Sequence, residues 1–264
     1  MKSIFIYNPE SGKGRIKKHK AYIISELSKK YGEVECIETT HPTHASEIAR
    51  NCKDVDYLFC SGGDGTLNEI VNGLGPLSKK PTVGYIPSGT VNDVGRSLKL
   101  SKNIKKAVKI LTDGETFSHD IFKVNDRYGI YVCCAGLFTK TSYTAERKAK
   151  IFFGKLAYFF KALKELFNSD AVSVSIKTEE EKIDCNCAIL LILNSKSAGG
   201  FPLNKDADLN DGVVDVLLVP CKHKKIHFLA ILKVVFVFLL GIKKFKNNKK
   251  FIYRKLSHFT LTTN

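Results

Sequence analysis

Ser61-Gly62-Gly63-Asp64-Gly65-Thr66-Leu67-Asn68-Glu69 is the stretch of this sequence that decides the fold. It follows residues 57–60, a short apolar run bounded by glycine, which predicts a buried parallel strand. It continues into residues 66–74, where apolar side chains recur at helical spacing. Three glycines therefore surround a carboxylate, Asp64, at the point where a strand passes into a helix.

This arrangement favours a phosphate ligand. Glycines let the backbone approach a ligand closely, and the start of a helix has a partial positive charge. The carboxylate of Asp64 would repel a phosphate unless a divalent cation lies between them or a proton is transferred. Phosphoryl transfer is therefore the first hypothesis, and the alternative is a glycine-rich turn in which Asp64 only caps the helix.

Strand and helix patterns alternate through residues 1–117 and predict a doubly wound α/β domain around a parallel sheet. Polar, glycine-rich loops follow three of the predicted strands, at residues 8–14, 61–66 and 87–93. The carboxyl ends of parallel strands share one edge of the sheet, where ligands of such folds bind. We therefore expect these loops to converge into a nucleotide-phosphate site.

From residue 118 the pattern changes to shorter segments of alternating polarity, which predict a mainly β, sandwich-like second domain over residues 118–264. A helix is predicted within it at residues 145–167. Residues 226–242 are apolar except for His227 and Lys233 and are too few to favour a membrane span. A buried helix is predicted there, with an interfacial helix as the alternative, because basic residues follow.

The composition is that of an ordinary globular protein, with a formal net charge of +16 that suits anionic partners. The eight cysteines lack the spacing of a zinc site and, with no signal peptide at Met1, indicate reduced thiols in a cytoplasm. The basic residues between 243 and 255 have no nucleic-acid recognition signature, so no nucleic-acid partner is expected. Residues 206–212 contain four acidic or amide oxygen donors, which could bind a small cation or form an Asn-Asp-Gly turn.

Three motifs together resemble the diacylglycerol kinase catalytic domain of the bacterial soluble lipid kinases, which are related to sphingosine kinases. They are Asn8-Pro9-x-Ser11-Gly12, Ser61 to Glu69, and Gly89-Thr90-x-Asn92-Asp93, and Gly199-Gly200-Phe201 and Asp211-Gly212 extend the match into the second domain. The resemblance implies a two-domain enzyme with ATP and Mg²⁺ bound between the domains. It would transfer the γ-phosphoryl group of ATP to a lipid hydroxyl, with diacylglycerol giving phosphatidic acid.

The resemblance also implies roles for individual residues. Those expected to hold ATP are Asn8, Pro9, Glu10, Ser11, Gly12, Thr39, Gly62, Gly63, Asp64, Gly65, Thr66, Leu67, Asn68 and Thr90. Asp64 and Asp93 are the expected catalytic carboxylates that arrange magnesium and phosphate. A structural magnesium ion is expected on the carbonyl of Asp208, the carboxylate of Asp211 and the carbonyl of Val213.

One departure from the family concerns the general base. The family's Asp-Gly-Glu motif, whose glutamate is the proposed base, would lie beyond Asn264, so a chain truncated at its C-terminus is expected to bind ATP but to turn over poorly. The alternatives are a kinase of another acceptor, such as a sphingoid base, a glycolipid or NAD, or a catalytically impaired nucleotide- and lipid-binding regulator. The expected location is the cytoplasm, peripheral to the anionic inner face of the membrane, and a homodimer is compatible with this assignment.

Overall fold

The computed structural model describes residues 1–136, 169–222 and 225–263, and the helix predicted at 145–167 lies outside these residues. The chain divides into two compact units, Met1–Ile130 and Tyr131–Asn264. The sequence pattern places the domain boundary between residues 117 and 118, and that boundary stays a prediction.

The first unit is an α/β fold on a four-stranded parallel sheet in the order β2-β1-β3-β4. The strands are β1 (Ser3–Tyr7), β2 (Val34–Glu38), β3 (Tyr57–Gly62) and β4 (Thr82–Pro87). The helices are α1 (Arg15–Tyr31), α2 (His44–Arg50), α3 (Asp64–Leu74), α4 (Asp93–Ser97) and α5 (Ile104–Asp113). A hairpin of β5 (Phe122–Val124) and β6 (Arg127–Gly129) ends the unit, although the alternating pattern of these residues had suggested the β domain.

Both faces of the parallel sheet are covered, which confirms the predicted α/β class. Phe5 and Tyr7 of β1 pack in one core cluster with residues of α1 and α5. Ile4 and Ile6, which alternate with them, point to the other face and are buried as well. On that second face the residues of α2 and α3 pack so closely that a Cβ on Gly73 would lie 2.4 Å from the carbonyl oxygen of Ser46.

The strand order places a topological switch point between β1 and β3. The chain leaves β1 for β2 on one side, whereas it leaves β3 for β4 on the other. Right-handed crossovers therefore put α1 and α3 on opposite faces of the sheet. A crevice opens beyond the carboxyl ends of two such strands, and it is where ligands of open α/β sheets bind.

The second unit is built on a six-stranded antiparallel sheet, which confirms the mainly β prediction. Its strands are β7 (Val132–Ala135), β8 (Val172–Lys177), β9 (Lys182–Leu193), β10 (Val214–Pro220), β11 (Ile252–Leu256) and β12 (Thr260–Thr263). The order is β11-β10-β9-β8-β12, and β7 pairs with the second half of the long strand β9.

One helix, α6 (Phe228–Leu240), packs on this sheet. Its inner residues join β9 and β10 in the core of the unit, with Ala230, Val234 and Val237 fully buried. The prediction of a buried helix is right for this inner face and wrong for the outer face, where large apolar side chains are exposed. Among the described residues, no helix combines the length and the apolar character needed to cross a bilayer.

Candidate functional site

The carboxyl ends of the four parallel strands lie side by side, joined by backbone hydrogen bonds. The amide of Thr39 donates to the carbonyl of Tyr7 at 2.9 Å, and the amide of Asn8 donates to the carbonyl of Ser61 at 2.9 Å. On the other side, the amide of Ser88 donates to the carbonyl of Gly62 at 2.9 Å. The structure thus brings the three predicted loops, together with Thr39, to one edge of the sheet.

Glycines allow these loops to pack backbone against backbone. Gly12 has a φ of +58°, and a Cβ there would lie 2.0 Å from the carbonyl oxygen of Ser88. A Cβ on Gly89 would lie 2.5 Å from the Cα of Gly63. No other residue type fits either position without displacing a neighbouring loop. The close approach of the three loops therefore depends on their glycines.

The first turn of α3 is open to a ligand. Its N-cap residue, Gly63, has no side chain to cap the helix, and the amide of Leu67 donates to the carbonyl of Gly63 at 3.2 Å. Gly65 is exposed, and a Cβ on it would meet no atom of the described residues within 4 Å. The amides of Gly65 and Thr66 are therefore in the position where helix starts bind phosphate.

Asp64 connects α3 to the loop that precedes α4. Its carboxylate accepts a hydrogen bond of 3.0 Å from the amide of Val94 and another from the amide of Asp93. Burial raises the pKa of Asp64, and the negative charge of Asp93 adds to this effect, while the amide hydrogen bonds oppose it. Asp64 is thus both a cap of α4 and an acid held beside a second buried carboxylate.

Asp64 and Asp93 suit a magnesium ion that travels with a nucleotide. Magnesium in such sites takes one or two protein carboxylates and completes its shell with phosphate oxygens and water. Two neighbouring carboxylates at the open start of a helix provide that donor set. In the described part of the chain, no group of three or more His, Cys, Asp or Glu residues could hold a metal by itself.

The second expected magnesium site lies in the second unit, where a lysine side chain already contacts one of the predicted carboxylate ligands. The ammonium group of Lys255 lies 2.6 Å from Oδ2 of Asp211, and this hydrogen bond raises the pKa of Lys255. Oδ1 of Asp211 accepts the amide of Val213 at 3.4 Å, and Oδ1 of Asp208 accepts the amide of Asn210. A magnesium ion bound by the Asp211 carboxylate would compete with Lys255 for it, and this site stays a prediction.

The remaining residues predicted to bind the nucleotide differ in their burial and in the groups that they could offer to a ligand. Leu67 is buried in the core, so only its backbone could serve a ligand, and Pro9 is buried as well. Asn8 is central, because its Nδ2 reaches Oγ1 of Thr66 at 3.4 Å and its Oδ1 accepts the amide of Glu10 at 3.0 Å. Thr90 is exposed, and its carbonyl accepts Lys102 at 3.3 Å. Ser11 and Asn68 are half-buried at the same edge.

Sequence reasoning missed Tyr85, which helps to hold this edge together, and gave Asn92 only as part of the third motif. The hydroxyl of Tyr85 lies 3.2 Å from the carbonyl of Gly62 and 3.3 Å from Oδ1 of Asn92. Asn92 adopts a left-handed conformation, φ 57°, and donates to the carbonyl of Gly89 at 2.7 Å. A tyrosine in a buried strand needs a hydrogen-bond partner for its hydroxyl, and this requirement could have identified Tyr85 from the sequence.

The chain is similar to characterised families along most of its length. Residues 2–124 match the profile of the diacylglycerol kinase catalytic domain, and residues 132–237 match that of the YegS C-terminal NAD kinase beta sandwich-like domain. A crystal structure of a diacylglycerol kinase from Bacillus anthracis strain Sterne has the same fold, with a TM-score of 0.81 and 24% identity. That similarity covers 99% of this chain and 86% of the other.

Two curated relatives are similar at higher identity. A diacylglycerol kinase of Bacillus subtilis strain 168 is 33% identical over 254 residues, which cover 95% of this chain and 82% of that protein. A diacylglycerol kinase of Staphylococcus carnosus strain TM300 is 36% identical over 217 residues, 81% of this chain and 71% of its own length. By its motifs, its fold and these matches, the chain belongs to the diacylglycerol kinase family of lipid kinases.

Proposed function

We propose that this chain transfers the γ-phosphoryl group of ATP to a lipid hydroxyl, with diacylglycerol as the acceptor and phosphatidic acid as the product. The observation that supports this most is the open first turn of α3, at the switch point of the sheet and next to Asp64 and Asp93. A helix start binds phosphate, and the two carboxylates are suited to the magnesium that accompanies it.

The roles of the residues follow from their positions. The amides of Gly65 and Thr66 would bind phosphate oxygens, and the packed loops at Gly12 and Gly89 would bound the site on either side. Asp64 and Asp93 would hold magnesium, which when bound neutralises charge on the transferred phosphoryl group. Phosphoryl transfer in such enzymes depends on alignment and electrostatics, so these residues position the reactants and no covalent intermediate is needed.

The choice of acceptor rests on the relatives, which are named diacylglycerol kinases. The alternative acceptors are sphingoid bases, glycolipids and NAD, and the family that matches the second domain is described as NAD kinase beta sandwich-like. A direct test incubates the purified chain with Mg²⁺ and γ-labelled ATP in mixed micelles that contain each acceptor in turn. Mass spectrometry of the labelled product identifies the acceptor, and a product without a glycerol backbone would contradict the proposal.

An Asp64→Asn variant tests the role of the carboxylate with little change in structure, because its side-chain oxygen can still accept a hydrogen bond from the amide of Val94. We expect it to fold and to lose at least about a hundredfold in turnover, the usual effect of losing one transition-state electrostatic group. Calorimetric titration with ATP separates binding from turnover. A wild-type chain that binds ATP but labels no acceptor would instead support the alternative of a catalytically impaired nucleotide- and lipid-binding regulator.

A further inference from the structure

The outer face of α6 is a concentrated patch of exposed apolar side chains. Ten large apolar residues are exposed in the described part of the chain, and five of them lie within these thirteen helical residues. They are 49–65% exposed, and they are Phe228, Leu229, Phe236, Leu239 and Leu240. Monomeric proteins rarely expose such contiguous apolar surface unless it binds something.

The helix cannot turn this face inward, because its opposite face is fixed in the core. Ala230, Val234 and Val237 are fully buried against β9 and β10. Gly241 ends the helix with a φ of +76°, and its neighbour Ile242 is also buried. The outer face is therefore held rigidly at the surface of the second unit.

Basic side chains surround the two ends of this helix. Lys222 and Lys225 precede it, Lys233 lies on it, and Lys244, Lys249 and Lys250 follow it. Among the described residues none of these six lysines forms an ion pair, in contrast to Lys243 and Lys246, which pair with Asp206 and Asp215. The helix itself contains no acidic residue. An apolar strip with uncompensated positive charge at both ends is complementary to an anionic lipid surface.

We propose that the outer face of α6 is the surface by which this chain docks on anionic membranes. The helix, about 20 Å long at 1.5 Å per residue, would lie in the plane of the membrane with its phenylalanine and leucine side chains among the acyl chains. The flanking lysines would contact the lipid phosphates. The surface shares no residue with the phosphate edge, the sheet edge formed by the loops at 8–14, 61–66 and 87–93. The proposal therefore goes beyond the proposed kinase function, and its test needs neither ATP nor turnover.

The chain has no tryptophan, which provides a specific probe. Phe236→Trp places a single tryptophan on the patch, and Phe117→Trp places one at an aromatic residue in the first unit that is 58% exposed. Vesicles of phosphatidylglycerol and phosphatidylcholine in equal parts should shift the emission of the first variant to shorter wavelength and leave the second unchanged. Equal behaviour of the two variants would overturn the proposal.

Sedimentation of the whole chain with the same vesicles measures affinity. Phe236→Ser with Leu239→Ser should weaken binding roughly tenfold or more, and Lys249→Glu with Lys250→Glu should weaken it by at least roughly tenfold. Lys106→Glu with Lys109→Glu, on the exposed side of α5, makes the same change in net charge and should leave the affinity less affected. Circular dichroism checks that each variant is folded.

A second copy of the chain is the rival occupant of this surface. Sedimentation velocity without lipid distinguishes it. A wild-type dimer that the Phe236→Ser, Leu239→Ser variant converts to a monomer, with vesicle affinity unchanged, would show that α6 joins two copies and would overturn membrane docking. A monomeric wild type whose vesicle binding is lost in this variant would support the proposal.

Discussion

Replacing Gly65 with alanine should stabilise the fold while it weakens ATP binding. Within the part of the chain that the structure describes, a Cβ at this position meets no atom within 4 Å, and Gly65 is not among the glycines with positive φ. The methyl group therefore fits without strain. Because alanine has fewer unfolded conformations than glycine, the free energy of unfolding should rise by about 0.5–1 kcal/mol. For a unit of this size the melting temperature should rise by about 2–4 °C.

The effect on ATP binding has the opposite sign. The space that the new methyl group fills lies over the first turn of α3, where the phosphates of the nucleotide are proposed to lie. Displacement of a phosphate from one of the two amides, of Gly65 or Thr66, removes a hydrogen bond to a charged group, at about 1.5–3 kcal/mol. The dissociation constant for ATP should therefore rise by roughly ten- to a hundredfold.

Thermal unfolding and calorimetric titration with Mg-ATP measure the two effects on one protein sample. Gly73→Ala, later in the same helix, is the matched control, because its Cβ would lie 2.4 Å from the carbonyl oxygen of Ser46. It should lose about 1–3 kcal/mol of stability through overpacking and, where it remains folded, keep the ATP affinity of the wild type. A Gly65→Ala variant that gains stability and binds ATP as tightly as the wild type would refute the phosphate site on α3.

Three further predictions follow from single contacts. Burial raises the pKa of Asp64 above its ordinary 3.8, so the folded protein binds this proton more tightly than the unfolded chain and is more stable at low pH. Thermal scans should therefore show the wild type losing stability relative to Asp64→Asn as the pH rises from about 4. Parallel stability profiles of the two proteins would contradict this prediction. Lys255→Met frees the carboxylate of Asp211, so Mg²⁺ should raise the melting temperature of this variant more than that of the wild type; an equal response would mean that the two cations do not compete. Tyr85→Phe removes the hydroxyl that bonds to the carbonyl of Gly62, so guanidinium unfolding should show a free energy of unfolding lower by about 1 kcal/mol. An unchanged unfolding midpoint would contradict this prediction.

The features that the sequence predicts well are those encoded by neighbouring residues. The strand before Ser61 and the helix after Asp64 follow from local apolar spacing and from the glycines between them, and both are present as β3 and α3. The meeting of separate loops at one edge also follows from the sequence, because parallel strands place all their carboxyl ends on the same side. Local pattern and the geometry of a parallel sheet thus suffice for the site's location.

The features that the sequence does not predict depend on the pairing register of distant strands or on which face of a helix points to solvent. Lys255 meets Asp211 because β11 pairs with β10, and no short-range pattern indicates that pairing. In α6 nearly every residue is apolar, so periodicity predicts a helix but cannot distinguish its inner face from its outer face. The exposure of Phe236 and Leu239 becomes visible only when the sheet beneath the helix is known.

The glycines at the phosphate edge look alike in sequence but are required for different reasons. Gly12 and Gly89 are needed by the chain itself, because a side chain at either would collide with the backbone of a neighbouring loop. Gly65 has neither a close neighbour nor a positive φ, and in a helix it costs about 0.5–1 kcal/mol relative to alanine. Nothing in the described part of the chain therefore requires a glycine at this position. The proposed phosphate site would account for a glycine here, because a phosphate bound at the amides of the first turn needs close approach to the backbone.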